Sequence, residues 1–263
     1  MQISINTSKW YDRIWAAFIF FTRLPFWRIY QPPKDSFDSV VEYWPLTGWM
    51  TGCAMASTLF LGSMVFPWAI TVILAIGVRI LMTGALHEDG LADFIDGFGG
   101  GGTNRERILA IMKDSRIGTY GVIGLIFYCA LLFGALYTMK PFYAMIAVMG
   151  VDPFCKMISG QIIQMMPYAR NEEQSKAHVV YRKFSVIAGL ILFAQGVIPL
   201  IPLFLWGPHL RWEIVVFAPC IVMYFLYLLI WHRLRGYTGD CCGAIFLLTE
   251  LSTYLCIIAQ WHL

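Results

Sequence analysis

Long apolar stretches separated by short polar ones dominate the chain. Seven of them, at about 44–66, 68–86, 119–139, 141–166, 184–206, 213–232 and 243–262, approach the roughly 20 residues that an α-helix needs to cross a bilayer. Breaks fall at Pro67, Pro141, Gly207-Pro208 and Gly236, residues that punctuate helices. The pattern predicts an all-α fold, a polytopic membrane bundle of about seven transmembrane helices. A shorter run over residues 10–24 reads as an amphipathic interfacial helix or a partial insertion, ended by Pro25. No internal repeat or low-complexity tract interrupts the chain, so residues 1–263 form a single integral membrane domain.

Composition agrees. Of 263 residues, 59% are hydrophobic and 13% charged, where soluble domains carry about 25% charged residues. The N-terminus fits a cleaved signal poorly, because Asp12 lies in its apolar centre and no small-residue cleavage site follows. Seven cysteines are an odd number without a C-x-x-C pair; five lie inside apolar runs, and nothing near Cys241 and Cys242 completes a zinc site. The small net charge of +3 argues against nucleic acid as a partner, and 10 Trp with 13 Tyr suit the interfacial belts of a lipid bilayer.

Charge also sets the orientation. With seven spans, the N-terminal segment and the loops 87–118, 167–183 and 233–242 share one side, and fifteen of the 19 Lys and Arg fall there. The other side has only Lys140 and Arg211. The positive-inside rule makes the fifteen-charge side cytoplasmic, which for a bacterial protein means the inner membrane with the motif-bearing loops facing the cytoplasm.

The densest chemistry is in "LHEDGLADFIDGFGGGGTNRERILAIMKDSRIGTYG", residues 86–121. At about 100° per residue, Asp89, Asp93 and Asp96 point within about 60° of one another, while Glu88 stands about 100° away and reads as a bystander. If the second span continues as a helix past Gly90, it carries this stripe out of the membrane near its own C-terminus. The macrodipole disfavours anions there, and Gly90 and Gly97 leave the face open. Three carboxylates so placed call for a divalent cation, and all-oxygen ligands favour Mg²⁺, Mn²⁺ or Ca²⁺ over zinc. Mg²⁺ is expected, because it takes one or two carboxylates and completes its shell with water and substrate phosphate. Arg105, Arg107, Lys113 and Arg116 would neutralise such a phosphate. "SRIGTYG" adds backbone N–H groups at a helix start, whereas the four glycines 99–102 alone are a weak phosphate-loop signal. His87 reads equally as a proton carrier or an interfacial residue.

Other polar positions are less pointed. Asp152 and Lys156, four apart inside a span, can pair with each other or serve function. Arg79 and Glu250 can pair or reach the site. Arg170, Lys176, His178, Arg182 and Lys183 make a basic loop of ordinary topological kind. In "LRGYTGDCCGA", 234–244, Thr238 and Gly239 precede a fourth carboxylate, Asp240, on the same side as the stripe.

These residues resemble one family, the cobalamin-5'-phosphate synthases or adenosylcobinamide-GDP ribazoletransferases. The resemblance runs in order through "FFTRLP" (20–25), "PLTG" (45–48), "LHEDGLADFIDGFGGG" (86–101), "RERILAIMKDSRIGTYG" (105–121), "PYAR" (167–170) and "GYTGDCCGA" (236–244). Glu88 and Cys242 depart slightly from its pattern. The resemblance implies Mg²⁺-dependent phosphoryl transfer that joins adenosylcobinamide-GDP to α-ribazole or its 5'-phosphate and releases GMP. It implies metal on Asp89, Asp93 and Asp96, phosphates on Arg105, Arg107, Lys113 and Arg116, and substrate contacts at Thr238 and Gly239. The proton would pass to Asp96 or Asp240, with His87 a further catalytic candidate. Whether the chain forms a homo-oligomer is left open by the sequence. Two rivals are weaker. "DFIDG" echoes the CDP-alcohol phosphotransferases, but the rest of their motif is missing. An ion-coupled transporter would put its main site near the midplane.

Overall fold

The computed structural model describes residues 9–170, 180–207 and 209–262, with residues 261 and 262 described by backbone alone. Lys176, His178 and Pro208 lie outside the described residues. Helix α1 (Trp10–Phe21) leads through a 3-10 segment, Lys34–Tyr43, into α2 (Trp44–Ser63). Then follow α3 (Trp68–Thr83), α4 (Leu86–Gly100), α5 (Arg105–Lys113), α6 (Thr119–Thr138), α7 (Pro141–Gly160) and the single turn α8 (Ile162–Met165). The chain closes with α9 (Val186–Val197), α10 (Ile201–Trp206), α11 (Trp212–Leu234) and α12 (Gly239–His262). Among the described residues the sole β feature is an isolated parallel bridge between Tyr168 and Tyr237.

Among the described residues, five helical segments are long and apolar enough to cross a membrane: α6, α7 with α8, α9 with α10, α11 and α12. The pair α3–α4 makes a sixth only if it is taken as one broken span. α2 has the length, at 20 residues, but its Gly, Thr, Ser and Trp positions dilute its hydropathy. Burial sorts the spans. α7 and α12 are 78% and 72% buried and form the centre, whereas α6, α9–α10 and α11 are 22–28% buried and turn Leu, Ile and Phe outward, as lipid-facing helices do.

The first departure from the sequence pattern concerns the second span. It does not run past Gly90. Gly84 and Ala85 both adopt left-handed backbone (φ 64 and 58), ending α3, and α4 leaves at 89° to it. Gly84 tolerates this conformation, and its lack of a Cβ also matters: a Cβ there would lie 2.4 Å from the Arg23 side chain. The Arg23 backbone N–H donates to Met82 O at 2.7 Å, so the turn after α1 seals the end of α3. The carboxylates therefore sit on a new helix. Asp89 is in its first turn, where the macrodipole favours an anion, reversing the expected sign.

α1 behaves as a packed interfacial helix. Asp12 accepts from the Lys9 backbone N–H (2.7 Å) and the Tyr30 hydroxyl (2.6 Å), and Arg13 pairs with Glu42 at 2.9 Å. It stops at Phe21, before Pro25.

Candidate active site

Two chain segments meet beside the start of α12. The Tyr237 N–H donates to Pro167 O (2.9 Å) and the Ala169 N–H to Tyr237 O (2.8 Å), which ties the segment after α8 to the one after α11. A Cβ at Gly236 would come 2.7 Å from Pro167 O, so the strip closes only around glycine. Thr238 caps the new helix: its hydroxyl accepts from the Cys241 N–H at 3.3 Å and also lies 3.4 Å from Asp240 Oδ2. α12 then crosses α4 at close range. A Cβ on Gly90 would stand 3.1 Å from Asp240 Cα, and one on Gly243 would stand 3.2 Å from His87 O. Gly90 therefore does not leave the face of α4 open to solvent; α12 occupies it. Gly97 is likewise covered, by Met112 of α5.

This crossing floors a cavity of about 300 Å³. Asp89, His87, Thr238, Gly239 and Asp240 line it together. Its other walls are aromatic, from Phe20, Phe21, Trp44, Tyr168 and Tyr181, and Arg170 closes one side. Asp89 is exposed and Asp240 half-buried. His87 is buried, with Phe246 at 4.9 Å and Trp44 at 5.6 Å between ring centroids, and its Nε2 has no hydrogen-bond partner. Arg170 also lines a second, open trough with Arg105, Lys113 and Glu106. Arg170 Nη2 donates to Leu109 O at 2.9 Å and Arg105 Nε to Leu234 O at 2.8 Å, so both guanidinium groups are anchored on backbone carbonyls beside the cavity.

The rest of the expected set is distributed elsewhere. Asp96 is buried, and its carboxylate accepts from the N–H groups of Gly118 (2.6 Å) and Gly121 (2.8 Å). The backbone donors of "SRIGTYG" thus face a protein carboxylate that caps α6 from outside. A Cβ at either glycine would fall within 2.5 Å of it. Asp93 is buried one turn beyond Asp89 and does not line the cavity. Arg107 is exposed, away from both openings. Arg116 is exposed and grips Asp114 at 2.8 Å, holding that carboxyl down to about 2. Of the glycine run, Gly102 is left-handed (φ 61) and its carbonyl accepts from Arg233 Nη1.

Among the described residues, no three His, Cys, Asp or Glu side chains converge tightly enough to hold a metal alone. A divalent ion does not need that many. Mg²⁺ takes one or two carboxylates and fills its other positions with water and substrate phosphate. Asp89, exposed in a cavity beside cationic groups, fits that partial set.

The remaining buried charges close on each other. Arg79 Nη1 meets Glu250 at 2.6 Å, and its Nη2 meets Glu88 at 3.4 Å and the Tyr128 hydroxyl at 2.8 Å. Lys156 meets Asp152 at 2.6 Å, and Thr51 donates to Asp152 at 2.9 Å. Glu88 is therefore no bystander; it turns inward as a partner of Arg79. Arg170 and the aromatic walls are what sequence reasoning underrated. "PYAR" was the available signal for Arg170 and Tyr168, but a basic loop looks alike whether or not it folds over a site.

The fold defines a multi-pass helical membrane protein, with a largely aromatic cavity where α4 and α12 meet. Residues 13–258 match the family profile described as Cobalamin-5-phosphate synthase, and the chain belongs to that family. It is 32% identical to the adenosylcobinamide-GDP ribazoletransferase of Leptospira interrogans over 96% of this chain and 97% of that protein. It is 35% identical to the protein of the same description from Leptothrix cholodnii, over 91% and 92%. For the one from Shewanella baltica the identity is 34%, over 94% of each. No solved structure matches the chain.

Proposed function

We propose that this chain joins adenosylcobinamide-GDP to α-ribazole, or to its 5'-phosphate, releasing GMP and completing the nucleotide loop of a cobalamin. One observation carries the reading: Asp89, Asp240 and Arg170 line a single cavity, and Arg170 also lines a neighbouring trough with Arg105 and Lys113. Carboxylates and cations so juxtaposed suit transfer of a phosphoryl group to an alcohol, where charge must be held and a proton removed.

The ribazole 3'-oxygen attacks the phosphorus nearest the cobinamide, the bond from that phosphorus to the bridging oxygen breaks, and GMP leaves with that oxygen. Asp240 takes the hydroxyl proton. It is preferred over Asp96, whose oxygens are already engaged by two N–H groups. Arg170, Arg105 and Lys113 hold the phosphates as positive counterparts. Mg²⁺, held by Asp89 with water and substrate phosphate, would supply charge neutralisation on the diphosphate. The aromatic walls exclude water that would otherwise hydrolyse the same bond.

The cavity end faces the cytoplasm of a bacterial inner membrane in this reading, because the Lys and Arg excess lies there. A cysteine introduced at the exposed Thr103 should then react with an impermeant reagent only from the cytoplasmic side; Gly101 itself is buried, with no room for a side chain. The activity is tested on purified protein in detergent by following GMP release from adenosylcobinamide-GDP with α-ribazole. EDTA should abolish release and Mg²⁺ restore it. Release that needs no α-ribazole would mean hydrolysis, and full turnover in EDTA would remove the metal from the reading.

A further inference from the structure

Taking that function as its basis, we infer that the aromatic cavity seats the base of the incoming ribazole and selects flat apolar bases over polar ones. Size decides first. A cavity of about 300 Å³ sits at the small end of ligand pockets. It holds a bicyclic ring with its sugar, and a corrin macrocycle with its amide arms is several times too large. The corrin must therefore stay outside, and only the riboside or the guanosine can enter.

Lining decides between those two. Phe20, Phe21, Trp44 and Tyr181 give the cavity its aromatic lining, with Phe21 stacked on Trp44 at 5.2 Å and Tyr181 edge-on to Phe20 at 6.0 Å. Aromatic walls give a base stacking area without reading its edge. Guanine carries several donors and acceptors on that edge, and burying them unpaired is costly. A benzimidazole carries one free ring nitrogen. His87 belongs to the same lining and offers a ring face rather than a guanine-reading edge. Asp240 lines the same cavity, so a base seated there brings its sugar hydroxyls to the carboxylate proposed to take the proton. The guanosine is then left to the open, basic trough.

The test compares KM values for GMP release by wild type, Tyr181→Leu, Tyr181→Phe and Phe20→Leu, each first shown to unfold at the wild-type temperature. The leucine variants should raise KM for α-ribazole about tenfold and leave KM for adenosylcobinamide-GDP within twofold. Tyr181→Phe, which keeps the ring, should stay near wild type. Wild type should also favour α-ribazole over the α-linked adenine riboside by about tenfold or more in kcat/KM. If the leucine variants raise KM for adenosylcobinamide-GDP alone, or if the adenine riboside is used equally well, the seat is wrong while the activity stands. If wild type releases no GMP, the activity reading fails. Calorimetric titration with α-ribazole alone then decides the cavity by itself: binding lost in Tyr181→Leu supports the seat, and no binding to wild type overturns it.

Discussion

Two polar regions of this molecule contain the same kinds of side chain and use them in opposite ways. In the bundle interior, Arg79, Glu88, Glu250, Asp152 and Lys156 are buried and paired with one another. At the cavity, Asp89 is exposed, Asp240 is half-buried, and Arg170 and Arg105 rest on backbone carbonyls while facing an opening. Closed pairs fix helix positions. Groups that line an opening are placed to meet a substrate. On the proposed function, counting charges inside the spans points to the wrong place: the interior charges hold helices together, and the chemistry is assigned to the cavity.

The comparison breaks most sharply at Asp240. Asp240→Asn keeps shape but removes the proton acceptor, so GMP release should fall about 10²- to 10⁴-fold with the unfolding temperature near wild type. A variant that stays active would move Asp240 into the closed class. Arg79→Leu should do the reverse. Removing it orphans Glu88 and Glu250 in the interior, which should cost about 3–5 kcal/mol in denaturant unfolding. The double variant with Glu250→Leu should recover part of that loss; no recovery would show that the pair is not what fixes α3 against α12.

Smaller effects sharpen the boundary. Arg170→Met should raise KM for adenosylcobinamide-GDP about tenfold, the scale of one charge-assisted hydrogen bond, and leave KM for α-ribazole alone. Asp96 is the telling intermediate, since it lies on the α4 stripe yet is closed by two N–H donors. Asp96→Asn should cost about 1 kcal/mol of stability, as loss of a cap does, and at most a severalfold change in rate. A hundredfold loss of activity at unchanged stability would return Asp96 to the metal.

Much of this was legible in the sequence, for reasons that can be named. Helical spans announce themselves by length and apolarity, so α6, α7, α11 and α12 lie where the pattern put them. The Asp152–Lys156 pair was readable because four residues make one helical turn. The break at Gly84-Ala85 was not. One glycine before a polar stretch is common, and Ala85 has no visible reason to be left-handed until Arg23 is packed against its neighbour. Asp96 was misread for a related cause. Its partners are 22 and 25 residues away, and an acidic stripe looks the same whether a metal or a helix terminus neutralises it. The cavity walls come from α1, α2, α4 and the α12 start, a convergence that no local pattern encodes.

The Arg79–Glu250 pair also sets a timetable for biogenesis. The two residues are 171 positions apart, which at ribosomal speeds is on the order of ten to thirty seconds of synthesis. For that interval the nascent protein holds a guanidinium in or near lipid, with Glu88, nine residues on, as its one early acidic neighbour in this network. α12 brings Glu250, Asp240 and the glycine that lets the helices touch. The arrival of the last helix therefore completes the set of partners around Arg79 and the lining of the cavity in the same event. A polypeptide stalled before it would leave Arg79 with Glu88 as its ion-pair partner and the cavity without Thr238, Gly239 and Asp240.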